Sequence, residues 1–285
     1  GSGHTRLSQH TDIFGQMQRT TPPVGPESIE PRPHSPEHVL SAWDWRLILR
    51  GIAARLLNLA LAISIFVVCW IALAAYLHRD IMPYPWDVLP VFVQEIQGDL
   101  WHHTVVSAGR VLKAIFFAVI IATPVGLGLG QIRLLNRIFS PLIALVHPIP
   151  KIVFLPVILV VLGIDETSKV FLITLILFFQ ILVVVRDEAA SLRPELIQSV
   201  RSLGAGRRAL FRYVYLPASL PAVLTALRVS VGTAIAVLFI AEQYSTRSGL
   251  GYYIVTLTWQ RLRFEKMYAG IMAMGLLGLT LYVVI

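Results

Sequence analysis

Six long apolar runs, at 56–77, 105–129, 141–163, 170–185, 220–240 and 268–285, constrain this chain more than any other feature. A helix rises about 1.5 Å per residue and the hydrocarbon of a bilayer is roughly 30 Å thick, so most of these runs reach or approach a full crossing and only the fourth looks short. A single run of this kind also suits the buried helix of a soluble domain, but a series of them does not. Composition agrees: 56% of residues are hydrophobic and 14% charged, where a soluble domain has roughly a quarter charged, and mean hydropathy is +0.71. The expected fold is an all-α integral membrane protein of about six transmembrane helices.

A net charge of +8 and a pI near 9.9 would suggest nucleic acid as partner in a soluble chain. Here the arginines gather at the ends of apolar runs, where membrane orientation explains them and nucleic acid is not needed. With the N-terminus in the cytoplasm, Arg46, Arg50, Arg55, Arg133, Arg137, Arg186, Arg193, Arg201, Arg207, Arg208 and Arg212 lie inside. Arg79, Lys169, Arg247, Arg261, Arg263 and Lys266 then lie outside, so the bias is incomplete. Residues 1–45 are polar and carry Pro22, Pro23, Pro26, Pro31, Pro33 and Pro36. Such a stretch cannot bury a core, so it is expected to be a disordered cytoplasmic tail ahead of a membrane domain over 46–285. No apolar region follows a short basic start, so a signal peptide is not expected. The last run reaches residue 285 without a polar flank, as a trimmed C-terminus would. Cys69, alone in the chain, excludes an internal disulfide and reads as packing within the first run.

Small residues recur at every fourth position in two runs: Ala118, Ala122, Gly126 and Gly130 in the second, Ala222, Ala226, Ser230 and Ala234 in the fifth. Lipid gives helices no hydrophobic reason to associate, and faces of this kind let their backbones approach closely. The glycines at 126–130 are not a phosphate loop, because no strand precedes them and they lie inside an apolar span.

The polar, arginine-bearing segment 198–217 must lie in water between two apolar runs. From Asp187, residues Ala189, Leu192, Leu196, Val200 and Leu203 step by three and four, which predicts one apolar helical face. Gly204 and Gly206 are expected to break that helix, and Leu216 and Pro217 to open the next span. The result would be a helix, a glycine turn and a second helix along the membrane face. An amphipathic loop on lipid headgroups, with Arg207 and Arg208 touching anionic lipid, has the same pattern.

Gly204, then Val214, Leu216 and Pro217, resemble the cytoplasmic signature of permease subunits of ATP-binding-cassette (ABC) importers. In that signature Glu-Ala-Ala is followed after three residues by Gly and, after nine more, by an aliphatic residue, one residue and Leu-Pro. The triad here is Gln198, Ser199 and Val200, a departure at all three places; Glu188, Ala189 and Ala190 lie ten residues too early. The resemblance extends from about Met82 to the end. It runs through MetProTyrPro at 82–85, HPIPKIVFLPVILVVLGIDETSK at 147–169, RSLGAGRR at 201–208, YLPASLPAVLTALR at 215–228 and SGLGYYI at 248–254. These are similar to the nitrate, sulfonate, taurine and bicarbonate branch of type I importers.

The resemblance implies a bacterial inner-membrane permease rather than an enzyme. It would pair with a second permease copy in a homodimer, above two cytoplasmic ABC ATPases that hold the ATP and Mg, and receive a small anionic solute from an extracytoplasmic binding protein.

 The coupling loop, at about 187–216, would dock on the ATPases through Leu196, Gln198, Ser199, Val200, Leu203, Gly204, Arg207, Arg208, Leu216 and Pro217. The chain has no Gly-x-x-x-x-Gly-Lys-Ser/Thr loop, so it is not expected to bind ATP in that manner or to hold a cofactor of its own.

Polar residues within spans are candidates for a solute path, because charge in lipid is expensive. Lys151, set among Pro148, Pro150 and Pro156, leads, followed by Gln180, Arg228, Glu242, Arg110 and Lys113. The competing role for Lys151 is a partner for a helix C-terminus. His102, His103 and His147 show no metal-ligand spacing, and no metal site is expected. An ion-coupled secondary transporter would place acidic residues in its spans, where this chain has almost none, and an intramembrane enzyme would need paired catalytic groups.

Overall fold

The computed structural model describes residues 45–77, 81–244 and 246–285, with side chains from residue 52 onward. The tail expected over 1–45 lies outside the described residues except for Trp45, which opens the first helix. The chain divides into two units, Gly1–Ala60 and Leu61–Ile285. The described part of the first is the opening of helix α1 (Trp45–Leu77), whose side chains over 52–60 are all exposed.

In the second unit, the remainder of α1 leads to a turn in which the Pro83 carbonyl accepts a 3.1 Å hydrogen bond from Trp70 Nε1. Helix α2 (Pro85–Ile96) starts on a proline, whose missing N–H is no loss there, and carries Asp87 in its first turn. The sequence reading did not foresee this helix. α3 (Asp99–Gln131) is followed by α4 (Arg133–Val146), a 3₁₀ turn at Lys151–Phe154 and α5 (Leu155–Leu162). Pro148 and Pro150 remove amide donors between α4 and α5, and the pair bends by 80°. The third apolar run is therefore a broken span rather than a straight one.

α6 (Glu166–Ser191) spans 26 residues, so the fourth run is not short: polar residues at both its ends continue the helix. Helix α7 (Pro194–Ser202) then begins afresh. α8 (Arg207–Leu210) passes through a π turn at Phe211–Tyr215 into α9 (Leu216–Ala241). α10 (Leu250–Tyr252), a second π turn at Tyr253–Thr258 and a 3₁₀ turn at Trp259–Arg261 lead to α11 (Phe264–Val284). Among the described residues every regular element is helical. Among the described residues five helices are long and apolar enough to cross a membrane, and the bent α4–α5 pair makes a sixth if taken as one span.

The centre of the second unit is α6, packed between α3 and α9. On α3, Ala118, Ala122 and Gly126 are buried. A Cβ on Gly126 would lie 3.0 Å from Val185 Cβ, and one on Gly130 would lie 2.5 Å from the Arg186 carbonyl oxygen and 2.6 Å from Ala189 Cβ. The predicted small-residue face is thus where the α3 and α6 backbones meet. On α9, Ala226, Ser230 and Ala234 are buried as well, and Ser230 Oγ donates to the Ala226 carbonyl at 2.6 Å, which satisfies the hydroxyl inside its own helix. Cys69, by contrast, is exposed on α1 and packs no core within the chain, because α1 contributes little but Ala74 to the buried set.

Gly130→Leu is expected to destabilise the protein by about 1–3 kcal/mol, since the added carbons meet backbone that cannot yield. Gly109→Ala, on the same helix with nothing within 4 Å of its new Cβ, is expected to be neutral or stabilising. Thermal unfolding of both variants, followed by gel filtration, checks the contrast.

Candidate functional site

The most heavily bonded side chain is Arg110 of α3, 2% exposed. Its Nη1 donates to Glu242 Oε1 at 2.6 Å and to the Ser248 carbonyl at 2.8 Å. Nη2 donates to Glu166 Oε1 at 2.6 Å and to Ser248 Oγ at 3.1 Å, and Nε donates to Glu166 Oε1 at 3.0 Å. Glu242, 0% exposed, also accepts from Ser107 Oγ at 2.8 and 2.9 Å and from the Gly251 amide at 2.8 Å. The Leu250 amide donates to Ser107 Oγ at 2.8 Å and the Gly249 amide to His103 Nδ1 at 3.0 Å. A buried charge is tolerable only when paired and hydrogen-bonded, and here each charge is.

Gly249 is fixed by this network twice over. Its φ is +112°, and a Cβ there would overlap Glu242 Oε1 and lie 2.5 Å from Arg110 Nη1. Nearby, Lys169 Nζ donates to the Ile164 and Asp165 carbonyls at 2.8 and 3.2 Å. On the same end of the bundle Glu95 of α2 accepts from Lys266 Nζ at 2.5 Å and from the Tyr253 hydroxyl at 2.8 Å. Burial pulls the Glu95 carboxyl up, but these two donors and the positive charges of Lys266 and Arg263 outweigh it and hold it below its ordinary value.

At the opposite end, α6 stops at Ser191. Leu192 and Arg193 take extended ψ values of 133° and 126°, as a residue before proline prefers. The single apolar face predicted from Ala189 to Leu203 is therefore split: Ala189 is buried against α3, while Leu196 and Val200 belong to α7 and Leu203 caps its end. Pro194, rather than the glycines alone, breaks the helix. α7 carries Glu195 in its first turn and Arg201 in its last, both favourable to the helix dipole. Its end is closed by Gly204 at φ +83°, whose amide donates to the Arg201 carbonyl at 2.9 Å, with Ala205 reaching the Val200 carbonyl at 3.4 Å. Nothing lies within 4 Å of a Cβ on Gly204, so only its backbone angle asks for glycine.

Gln198, Ser199, Arg207 and Arg208 are exposed, Val200 is half-buried, and Leu203 is 86% exposed. The helix–turn–helix expectation thus meets a real α7–turn–α8 element. Leu216 and Pro217 stand at the start of α9 as expected, but α9 follows on α8 and the π turn without a loop, so 207–241 is one continuous helical path.

Of the residues proposed for a solute path, the structure brings Arg110 and Glu242 into one ion pair, while Lys151, Gln180 and Arg228 each meet other partners. Lys151 Nζ donates to the Val146, His147 and Ile149 carbonyls at 3.2, 2.9 and 3.2 Å and lies 4.7 Å from the centre of the Phe179 ring. All three ammonium donors serve the frayed end of α4, which is the competing role named above. Glu242 is enclosed by Arg110, Ser107 and the Gly251 amide, its Arg110 partner lying 132 residues away in sequence. Gln180 Nε2 reaches Thr233 Oγ1 at 3.4 Å, leaving its Oε1 without a partner, and Arg228 stacks over Tyr282 at 5.6 Å.

Residues 114–285 match the family described as binding-protein-dependent transport system inner membrane component. The chain belongs to this family of ABC transporter permeases. It is 30% identical over 246 residues to the taurine transport system permease protein TauC of Escherichia coli, covering 84% of this chain and 88% of that one. It is 29% identical over 271 residues to the riboflavin transport system permease protein RibX of Chloroflexus aurantiacus, covering 94% of both. In fold it is similar to a chain of the MetNI methionine ABC transporter in an inward-facing conformation, with a TM-score of 0.50, 20% identity and coverage of 65% of this chain and 94% of that one. The permease is accordingly a multi-pass membrane transport subunit and not an enzyme.

Arg110→Met would strand the Glu242 carboxylate at 0% exposure, and is expected to cost about 3–5 kcal/mol. Arg110→Met combined with Glu242→Met is expected to recover most of that loss. Unfolding of the single and double variants of the permease measures the difference.

Proposed function

We propose that this permease, with its N-terminus in the cytoplasm of a bacterial inner membrane, forms with a second copy the pathway of an ATP-driven importer. A binding protein outside the membrane delivers a small anionic solute, and two ABC ATPases, which carry the ATP and Mg, dock on α7 and α8. The observation that carries this reading is the α7–Gly204–α8 element, which leaves Leu203 86% exposed at the end of the bundle. Within the chain that side chain has no structural use, and an apolar knob beside exposed arginines suits a groove on another protein. α8 continues into α9, so a push on the element acts directly on a membrane-spanning helix.

Two observations support an anionic solute. The carboxylates of Glu166 and Glu242 are both ion-paired with Arg110, while among the described residues Arg228 has no carboxylate within ion-pair distance. Relatives named for taurine and for riboflavin transport show that family membership alone leaves the solute open. The ion-coupled alternative has no support, because its coupling carboxylates would have to be free to bind and release an ion.

Leu203→Asp is expected to leave thermal stability of the permease unchanged, to weaken capture of the co-expressed ATPase by roughly 30-fold, as loss of an interface hot spot of about 2 kcal/mol would, and to abolish ATP-dependent uptake. Wild-type capture and uptake in Leu203→Asp would remove the coupling role of α7.

A further inference from the structure

Two cavities, one with arginines among its walls and one apolar throughout, meet at one residue of α3. The first, about 460 Å³, is lined by Arg133, Arg201 and Arg207 together with apolar residues such as Leu127, Leu210 and Phe211. The second, about 500 Å³, lies between α3, α4 and α6 and is apolar, with Pro124, Leu135, Phe139, Ile143, Phe178 and Leu182 among its walls. Gly128 lines both. A Cβ at Gly128 would meet nothing within 4 Å, so packing within the chain gives no reason for glycine there, although glycine in a helix interior costs about 1 kcal/mol relative to alanine.

The three arginines come from different elements: Arg133 from the start of α4, Arg201 from the last turn of α7 and Arg207 from the start of α8. Among the described residues no carboxylate lies within ion-pair distance of any of them. They stand at the end of α3 where its apolar span stops, which is the depth of lipid phosphates. A charged mouth leading past an open glycine into an apolar groove is the shape of one amphipathic ligand. A free anion would use only the arginines, and an apolar ligand only the groove.

We propose that this compound cavity binds an anionic phospholipid, with its phosphate held by Arg133, Arg201 and Arg207 and one acyl chain passing Gly128 into the groove between α3, α4 and α6. The lipid fills space that the helices leave open and ties α7 and α8 to the membrane-spanning helices. This site stands whether or not α7 couples to an ATPase, because its occupant is read by binding and not by transport.

The test uses the purified full chain, together with any ATPase that accompanies it, in nanodiscs of equimolar phosphatidylglycerol and phosphatidylcholine, with retained lipid counted by native mass spectrometry after detergent release. Phosphatidylglycerol is expected to be retained in preference to phosphatidylcholine. Arg133→Gln, which removes one exposed charge, is expected to lower that retention about five-fold. Gly128→Leu, which removes no charge but blocks the junction, is expected to lower it as well, and inorganic phosphate is expected not to displace the lipid. Equal retention of the two lipids would overturn the proposal, as would retention undiminished by Gly128→Leu, which would mean attraction to the surface arginines alone. Displacement by inorganic phosphate would make the site one for a free anion. Loss of the lipid on assembly with the ATPase, or a cross-link between copies at Gly128→Cys, would give the cavity to a protein instead.

Discussion

The Arg110 guanidinium is the fixed point of this fold. It joins α3 to the start of α6 through Glu166, to the end of α9 through Glu242 and to the segment before α10 through Ser248. In lipid, helices gain nothing by hiding apolar surface from one another, so orientation must come from close backbone contact and from polar groups that have no other partner. A planar fork with several donors suits that task, because each donor points in a set direction and the buried carboxylates must meet it. The glycine at position 249 follows from the same demand, since the network leaves no room for a side chain.

Below that junction the bundle is held by shape. Gly126 and Gly130 bring α3 onto the backbone of α6, and the small residues of α9 close from the other side. The chain then loosens where proline intervenes. Pro148 and Pro150 bend the α4–α5 span, with Lys151 taking up the carbonyls that the bend exposes, and Pro194 frees α7 from α6. Rigid and hinged regions therefore alternate along the sequence, with α7 and α8 at the end remote from Arg110. A displacement of α8 passes into α9 without an intervening loop and arrives at Glu242.

Much of this was legible in the sequence. The spans follow from apolar length, and the α3–α6 contact from small residues at every fourth position. The turn at Gly204 followed from glycine itself, and its φ of +83° agrees. What was missed is instructive. The apolar periodicity from Ala189 to Leu203 runs in step across Pro194, so it read as one helix although the proline already signalled two. α2 was hidden because Pro85 and Asp87 open a helix too short to stand out as a span. Pro217 does sit in the first turn of α9, but the π turn before it, which joins α9 to α8 without a loop, has no signature in the sequence. Arg110 and Glu242 each appeared as a lone charge in a span, because nothing in local pattern reveals a partner 132 residues away.

The claim that the Arg110 network makes α3, α6, α9 and 248–251 one rigid body is tested most directly by amide hydrogen exchange at Gly249, Leu250 and Gly251. Their amides donate to His103, Ser107 and Glu242, so they are expected to exchange as slowly as the buried amides of α3, although they lie in and beside a turn. Exchange at the rate of an open loop would contradict the account, since the segment would then be free of the helices it is held to join.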